Sequence, residues 1–257
     1  MAKKHVEVTL TEPDIQLLLR IRNSQFVKST ELCEHALRSG IAKNKSPFYA
    51  RMEKLIKGGL VEVVEEHPGK YSLYAISKLG LLRLEEKQLG TASLTSESDA
   101  LPRKPELPHA LKLNELRNYF ESVMGATGWM SSLEIAASNI EDGTFAKDYD
   151  AACWLPRDVW KKQPLRCALE FERTAKENRR YLEIGEHIRR ENAVSFVLYL
   201  FDWRRMIAPI MEQIGSGRVV FTTAHALLAH GLKCPVFVWK GDKILQTHLA
   251  DILATVP

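Results

Sequence analysis

The run Ala193 to Phe201, AVSFVLYLF, is the longest apolar stretch of the chain and stops at Asp202. It is far shorter than the roughly 20 apolar residues that a membrane-spanning helix needs. Its unbroken hydrophobicity therefore predicts a central strand covered on both faces. That requirement directs the C-terminal half of the chain to an α/β (α+β) class.

The segment before this run carries the carboxylates. In LRCALEFE, Leu165, Cys167, Leu169 and Phe171 alternate with Arg166, Ala168, Glu170 and Glu172. A strand would then set both glutamates on the face opposite its core side. Asp148 and Asp150 share one face of the strand-like piece Phe145 to Trp154. Pairing the two pieces as a hairpin across residues 155–164 brings an aspartate and a glutamate side by side at a sheet edge. Two readings stand. The oxygens can ligate a hard divalent cation, or they can pair at a solvated face with Arg166, Arg173, Lys176 and Arg179.

The remaining C-terminal elements follow in order. LPHALKLNELRNYFESVMG predicts a helix with Leu111, Leu116, Tyr119, Phe120 and Val123 in its buried stripe and Glu115 near that surface. Trp129 to Ser138 predicts a first strand. TAKENRRYLEIGEHIRRE predicts a long helix opened by Thr174, with Glu177 completing a capping box. After the apolar strand come a helix near Met206 to Ile214, the strand RVVFTTA and a tail containing VFVW and KILQTH.

The N-terminal part reads as three helices and a hairpin. Thr11 caps a helix with Pro13 in its first turn and Ile15, Leu18, Leu19 and Ile21 as its stripe. Ser29 or Thr30 opens a second, closed by Gly40. A third starts at Ser46 with Pro47 at its first helical position, packs Phe48, Met52, Leu55 and Ile56, and ends at Gly58 and Gly59. LVEVVEE and YSLYAIS then flank a turn at His67 to Lys70. Between the halves, TASLTSESDALPRKPELP is polar and contains three prolines. The expected division is a first domain over 1–90, a linker over 91–107 and a second domain over 108–257.

Composition narrows the function classes. A chain of 257 residues, 45% hydrophobic and 26% charged, is ordinary globular material for one large or two modest domains. Cys33, Cys153, Cys167 and Cys234 have neither zinc-ligand spacing nor disulfide-framework spacing, and are expected to be buried thiols in a reducing cytoplasm. The N-terminal MAKKHVEVTLTEPD lacks the apolar core of a signal peptide, so a cytoplasmic protein without a membrane partner is expected. Neither GxxxxGK[ST] nor GxGxxG occurs, which leaves a nucleotide-driven motor unsupported. His225 and His230 lack a third ligand at metal spacing. A net charge of +4 suits a polyanionic partner, but its placement matters more than its size.

SPFYARMEKLIKGGLVE entering the hairpin and YSLYAISKLGLLRLE leaving it resemble the winged helix-turn-helix family over about 80 residues. The cues are the Ser-initiated third helix, the Lys-Gly-Gly-Leu-Val exit and the Ile-Ser-Lys-Leu-Gly start of the next helix. The resemblance implies a third helix in the DNA major groove and a hairpin wing on the adjacent backbone. Lys43, Lys45, Ser46, Tyr49, Arg51 and Lys54 are the DNA-binding candidates around that helix, with Lys70 at the wing tip. Glu62, Glu65 and Glu66 on the wing oppose this charge.

The predicted order αβββαβ of the second domain resembles the restriction-endonuclease-like fold, whose signature is an Asp followed, after a strand turn, by Asp or Glu, any residue, then Lys. Asp150 and Glu170 match the two acids, which in that chemistry hold Mg²⁺. Glu172 stands where the Lys belongs. Lys176, one turn into the next predicted helix, is the nearest substitute cation, and Glu115 a further carboxylate. LPHALKLNELR, KDYDAACW and LEFERTAKENRRY together resemble the replication-relaxation family of plasmid and integrative-element proteins. That resemblance implies a double-stranded-DNA-binding protein acting in mobilisation or conjugation, replication or transcriptional regulation of a mobile element, with a nuclease-like domain that has lost its chemistry. Its partners would be duplex DNA, a second copy of the chain and other mobile-element proteins. No cofactor is required for DNA binding, and Mg²⁺ only if the nuclease-like site is active. The alternatives are a Mg²⁺-dependent endonuclease using Asp150 and Glu170, with Glu172 or Lys176, and a protein-interaction adaptor.

Overall fold

The computed structural model describes residues 8–67, 70–87, 104–157, 162–215, 218–240 and 243–256. The chain is mixed α/β and divides into two compact units, Met1–Glu115 and Leu116–Pro257. Most of the expected linker lies outside the described residues.

The first unit begins with α1 (Glu12–Ser24), β1 (Phe26–Lys28), α2 (Ser29–Arg38) and α3 (Lys45–Lys57). The hairpin strands β2 (Val61–His67) and β3 (Tyr71–Ile76) follow, then α4 (Lys78–Glu86). Its antiparallel sheet has the order β1-β3-β2. The helices are placed by their caps. Asp14 accepts hydrogen bonds from the Thr11 backbone N–H at 2.9 Å and the Thr11 hydroxyl at 2.7 Å. Asn44 accepts from the Ser46 N–H at 3.1 Å, so Asn44 rather than Ser46 caps α3 and Lys45 rather than Pro47 is its first helical residue. In α1 Leu17 is fully buried, while Leu19 is only partly so. These helices close on a core containing Leu18, Ile21, Leu32, Phe48, Met52 and Leu55.

The Ile-Ser-Lys-Leu-Gly segment has a mechanical explanation. Ser77 caps α4 by accepting from Gly80 N–H at 2.9 Å and donates to the Gly59 carbonyl at 2.6 Å. Gly80 lies so close to the Leu60 backbone that a Cβ there would stand 2.2 Å from the Leu60 carbonyl oxygen. Only glycine permits that approach.

Helix α5 (Leu107–Ser122) contains the division between the units. Ala110, with Leu107 and Leu111, packs against Phe26, Leu73 and Ala75, and Asn114 donates to the backbone carbonyls of Ser24 and Phe26. Residues 107–115 thus join the first unit, whereas a boundary at 108 was expected. Hydrophobic burial drew the start of this helix away from the domain its sequence adjoins.

In the second unit β4 (Thr127–Ser131) leads into α6 (Ser132–Asp142). The single strand expected over Trp129 to Ser138 is therefore a strand and a helix. Ser131 and Glu134 make a reciprocal capping box, which converts the chain to helix after five strand residues. The expected order αβββαβ becomes αβαββαβ. Next come β5 (Ala151–Arg157), β6 (Lys162–Glu172), α7 (Asn178–Arg190) and β7 (Phe196–Phe201). After them run α8 (Ile207–Ile214), β8 (Val219–Thr223), α9 (Ala224–His230), β9 (Pro235–Lys240), β10 (Lys243–His248) and α10 (Leu249–Thr255).

The seven strands follow the order β10-β9-β8-β7-β6-β5-β4. β7 is the middle strand, parallel to both β6 and β8, and all its residues are buried. Helices α7 and α8 make the two parallel crossovers, as parallel neighbours require. β5 and β6 form the expected antiparallel hairpin, but β5 starts only at Ala151, so Lys147 to Asp150 precede it. α7 starts at Asn178 rather than Thr174, which leaves Lys176 in the connection. All four cysteines are buried and unbridged. Among the described residues no helix is long and apolar enough to cross a membrane.

Candidate functional site

The hairpin register brings the predicted acids together. Ala151 pairs with Leu169, which sets Asp150 across from Glu170. Asp150 is held by the Phe171 N–H, which donates to its Oδ2 at 2.7 Å. Glu170 and Glu172 do share one face of β6. That face is covered, not solvated. Tyr181, Ile184 and Ile188 of α7 and Ile210, Met211 and Ile214 of α8 pack there with Ala168, Tyr199 and Phe221. Glu170 and Glu172 are only 6% and 5% exposed.

Each buried glutamate has its own lysine. Lys147 Nζ pairs with Glu170 Oε1, and Lys176 Nζ pairs with Glu172 Oε2 at 2.8 Å. The Tyr199 hydroxyl donates to the same Glu172 oxygen at 3.2 Å. Burial, with the Asp150 charge assisting, pushes Glu170 up to about 7 against the pull of Lys147 and Lys176. Burial pulls Lys176 down, but the Glu172 hydrogen bond and charge, with Glu170 and Asp150 behind them, leave it raised. Burial also raises Tyr199, helped by the charges of Glu170 and Glu172.

Of the four cations expected to pair with these acids, only Lys176 does so through a salt bridge. Arg173 faces Asp202 at 3.6 Å and Arg179 faces Glu183 at 3.3 Å, while Arg166 lies over the Phe145 and Trp154 rings. Lys147 is the cation that sequence reasoning missed. Its signal was the spacing Lys147-Asp148-Tyr149-Asp150, where the lysine stands just before the acid that lies across from Glu170. Asp148 turns aside to accept from Asn139 at 2.7 Å, and Glu115 pairs with Lys112 in the first unit. Among the described residues no group of three or more His, Cys, Asp or Glu side chains can hold a metal ion. Lys147 and Lys176 already pair with one oxygen each of Glu170 and Glu172, so the donor set fits the cation poorly.

The candidates around α3 split in two. Lys43, Lys45, Ser46 and Tyr49 are exposed at its start. Arg51 and Lys54 instead turn back onto α1. Arg51 donates to Asp14 at 2.8 Å and to the Thr11 hydroxyl at 3.0 Å, and Lys54 donates to the Thr9 carbonyl at 3.0 Å. Asp14 itself has no exposed surface. Burial opposes its charge, but hydrogen bonds from Thr11 and Arg51 overcome this and lower its pKa. On the outer face of α3, Glu53 pairs with Lys57 at 2.6 Å. Lys70 is exposed at the hairpin turn, and so are Glu62 and Glu65 on β2. The side chain of Glu66 lies outside the described residues. The chain matches no protein-family model, no curated protein and no solved structure.

Proposed function

We propose that the chain is a double-stranded-DNA-binding protein of a bacterial mobile element, acting in its mobilisation, replication or transcriptional regulation. The order α1-β1-α2-α3-β2-β3, with Lys43, Lys45, Ser46 and Tyr49 exposed at the start of α3, carries this reading. In a winged helix-turn-helix that end of the third helix meets DNA. Two lysines beside a helix N-terminus suit a phosphate. Arg51 and Lys54 serve instead to join α3 to α1. The second unit acts as a nuclease-like scaffold in which lysines neutralise Glu170 and Glu172.

A mobility-shift series against salt tests it. The unchanged protein is expected to bind duplex DNA with a log–log salt slope that falls by about 2 in the double variant Lys43→Ala, Lys45→Ala. Binding without salt dependence, or untouched by that variant, overturns the reading, and no measurable affinity for any duplex favours a protein-interaction adaptor.

The placement of Asp150 opposite Glu170 favours a second reading, a Mg²⁺-dependent endonuclease. It requires cleavage that depends on Mg²⁺ or Mn²⁺, stops with EDTA and disappears in Glu170→Ala. A salt-sensitive shift with no cleavage rejects it.

A further inference from the structure

The second unit contains an open groove of about 870 Å³ at the end of the sheet where β7 and β8 begin. Its floor is apolar, from Phe196, Val220 and Val238, and α10 supplies one wall through Ile252 and Thr255. The wall is fixed by two cations of the β5–β6 hairpin. Arg157 donates to the Val256 carbonyl at 2.9 Å and Lys162 to the Ala254 carbonyl at 2.6 Å.

The chemistry of the lining is one-sided. Arg166, Arg218 and Lys240 line the groove with the indoles of Trp154 and Trp239, and among the described residues no Asp or Glu does. Trp154 and Arg166 are cross-strand partners, and the guanidinium lies 5.7 Å from the indole centroid. Trp154 is nonetheless 42% exposed. It rests on the bulged edge strand at Gly128, where a Cβ would come within 2.9 Å of the ring and φ is +60°. The chain thus keeps a large apolar ring seated on the edge strand and open to solvent. The carboxylate cluster lies towards the other end of β6, where Glu172 pairs with Phe201, whereas Cys167 pairs with Phe196 at the groove end.

We propose that this groove binds single-stranded nucleic acid, with bases stacking on Trp154 and Trp239 and phosphates meeting Lys240, Arg166 and Arg218. Flat aromatic faces next to cations accept any base together with its backbone. An acidic peptide would use the cations but leave two indoles without a planar partner. A duplex would hide its base faces inside the stack. The volume is near the upper end of small-ligand pockets, which suits more than one nucleotide. The inference does not rest on α3 binding duplex DNA.

The test is fluorescence anisotropy of a short labelled oligothymidylate with the full chain. Saturable binding is expected, with a log–log salt slope of about −2 for three phosphate contacts. Trp154→Ala should weaken it about tenfold while Trp154→Phe, which keeps a stacking face, recovers most of the loss. Lys240→Ala should lower the salt slope by about 0.7. The double variant Lys43→Ala, Lys45→Ala is expected to keep oligothymidylate binding, which separates this site from the duplex-binding proposal. Absence of binding overturns the inference, and so does binding that Trp154→Ala and Lys240→Ala leave unchanged. Circular dichroism melts confirm that each variant is folded, and Lys240 and Trp239 supply independent variants if Trp154→Ala is not.

Discussion

Arg51 and Asp14 are joined at 2.8 Å across the α3–α1 contact, although 37 residues separate them in sequence. Asp14 serves both helices at once, since its carboxylate also accepts from the backbone of Thr11. Replacing it removes a helix cap and an ion pair together. Asp14→Ala is expected to cost about 2–3 kcal/mol in chemical denaturation. A loss below about 0.5 kcal/mol would show that the contact is dispensable.

The same pair sets an acid limit on stability. The pKa of Asp14 is lower in the folded chain than its ordinary value of 3.8. Its contribution is therefore complete above about 3.8 and is lost as pH falls through the lower folded value. Denaturation midpoints below pH 4 should fall more steeply for the unchanged protein than for Asp14→Asn.

Glu170 works in the opposite direction. Its folded value of about 7 stands above the ordinary 4.5, so the folded chain holds a proton between those values that the unfolded chain has released. This contribution is fully present below about 4.5 and disappears as pH rises through about 7. Glu170→Gln is expected to flatten the pH dependence of stability over that window. Parallel profiles for the two proteins would contradict the assignment.

Lys147 is the cation paired with the buried Glu170. Lys147→Ala leaves Glu170 beside Asp150 without its nearest cation and is expected to destabilise the second unit by about 3 kcal/mol. Glu170→Gln in the same chain should restore much of the loss. Thermal melts of the four combinations measure the coupling, and additive effects would show that no pairing exists.

Gly80 is a purely steric prediction. A methyl group there meets the Leu60 carbonyl at 2.2 Å, so α4 must shift. Gly80→Ala should cost about 1–3 kcal/mol despite the better helix propensity of alanine. An unchanged or raised melting temperature would show that the approach relaxes freely.

Local patterns carried much of this architecture. The six apolar residues Phe196 to Phe201 specify a strand buried on both faces because no side chain along it is polar enough to face water, and the strand is central. The Thr11 cap, the helical apolar stripes and the two strand-like runs gave the N-terminal helices and hairpin, because these signals act within four or five residues, while the expected Pro-Gly tip lies outside the described residues. The short-range rule that competes with strand formation at Ser131 and Glu134 is also local, yet the strand residues before it mask the switch to α6.

Alternation along Leu165 to Glu172 places both glutamates on one face, which the β6 geometry confirms, but periodicity is silent on what covers a face. Helices from residues 178–214 cover it, and burial then makes the lysine partners necessary. Likewise, helical spacing marks Arg51 as a surface cation until α1 packs beside it with Asp14. The groove between Trp154 and Lys240 is assembled from five strands and the last helix, far apart in sequence. Secondary structure follows from interactions within a few residues, so it can be read along the chain. Burial, ion pairing and the groove depend on which distant segments exclude water together, and only the folded chain decides that.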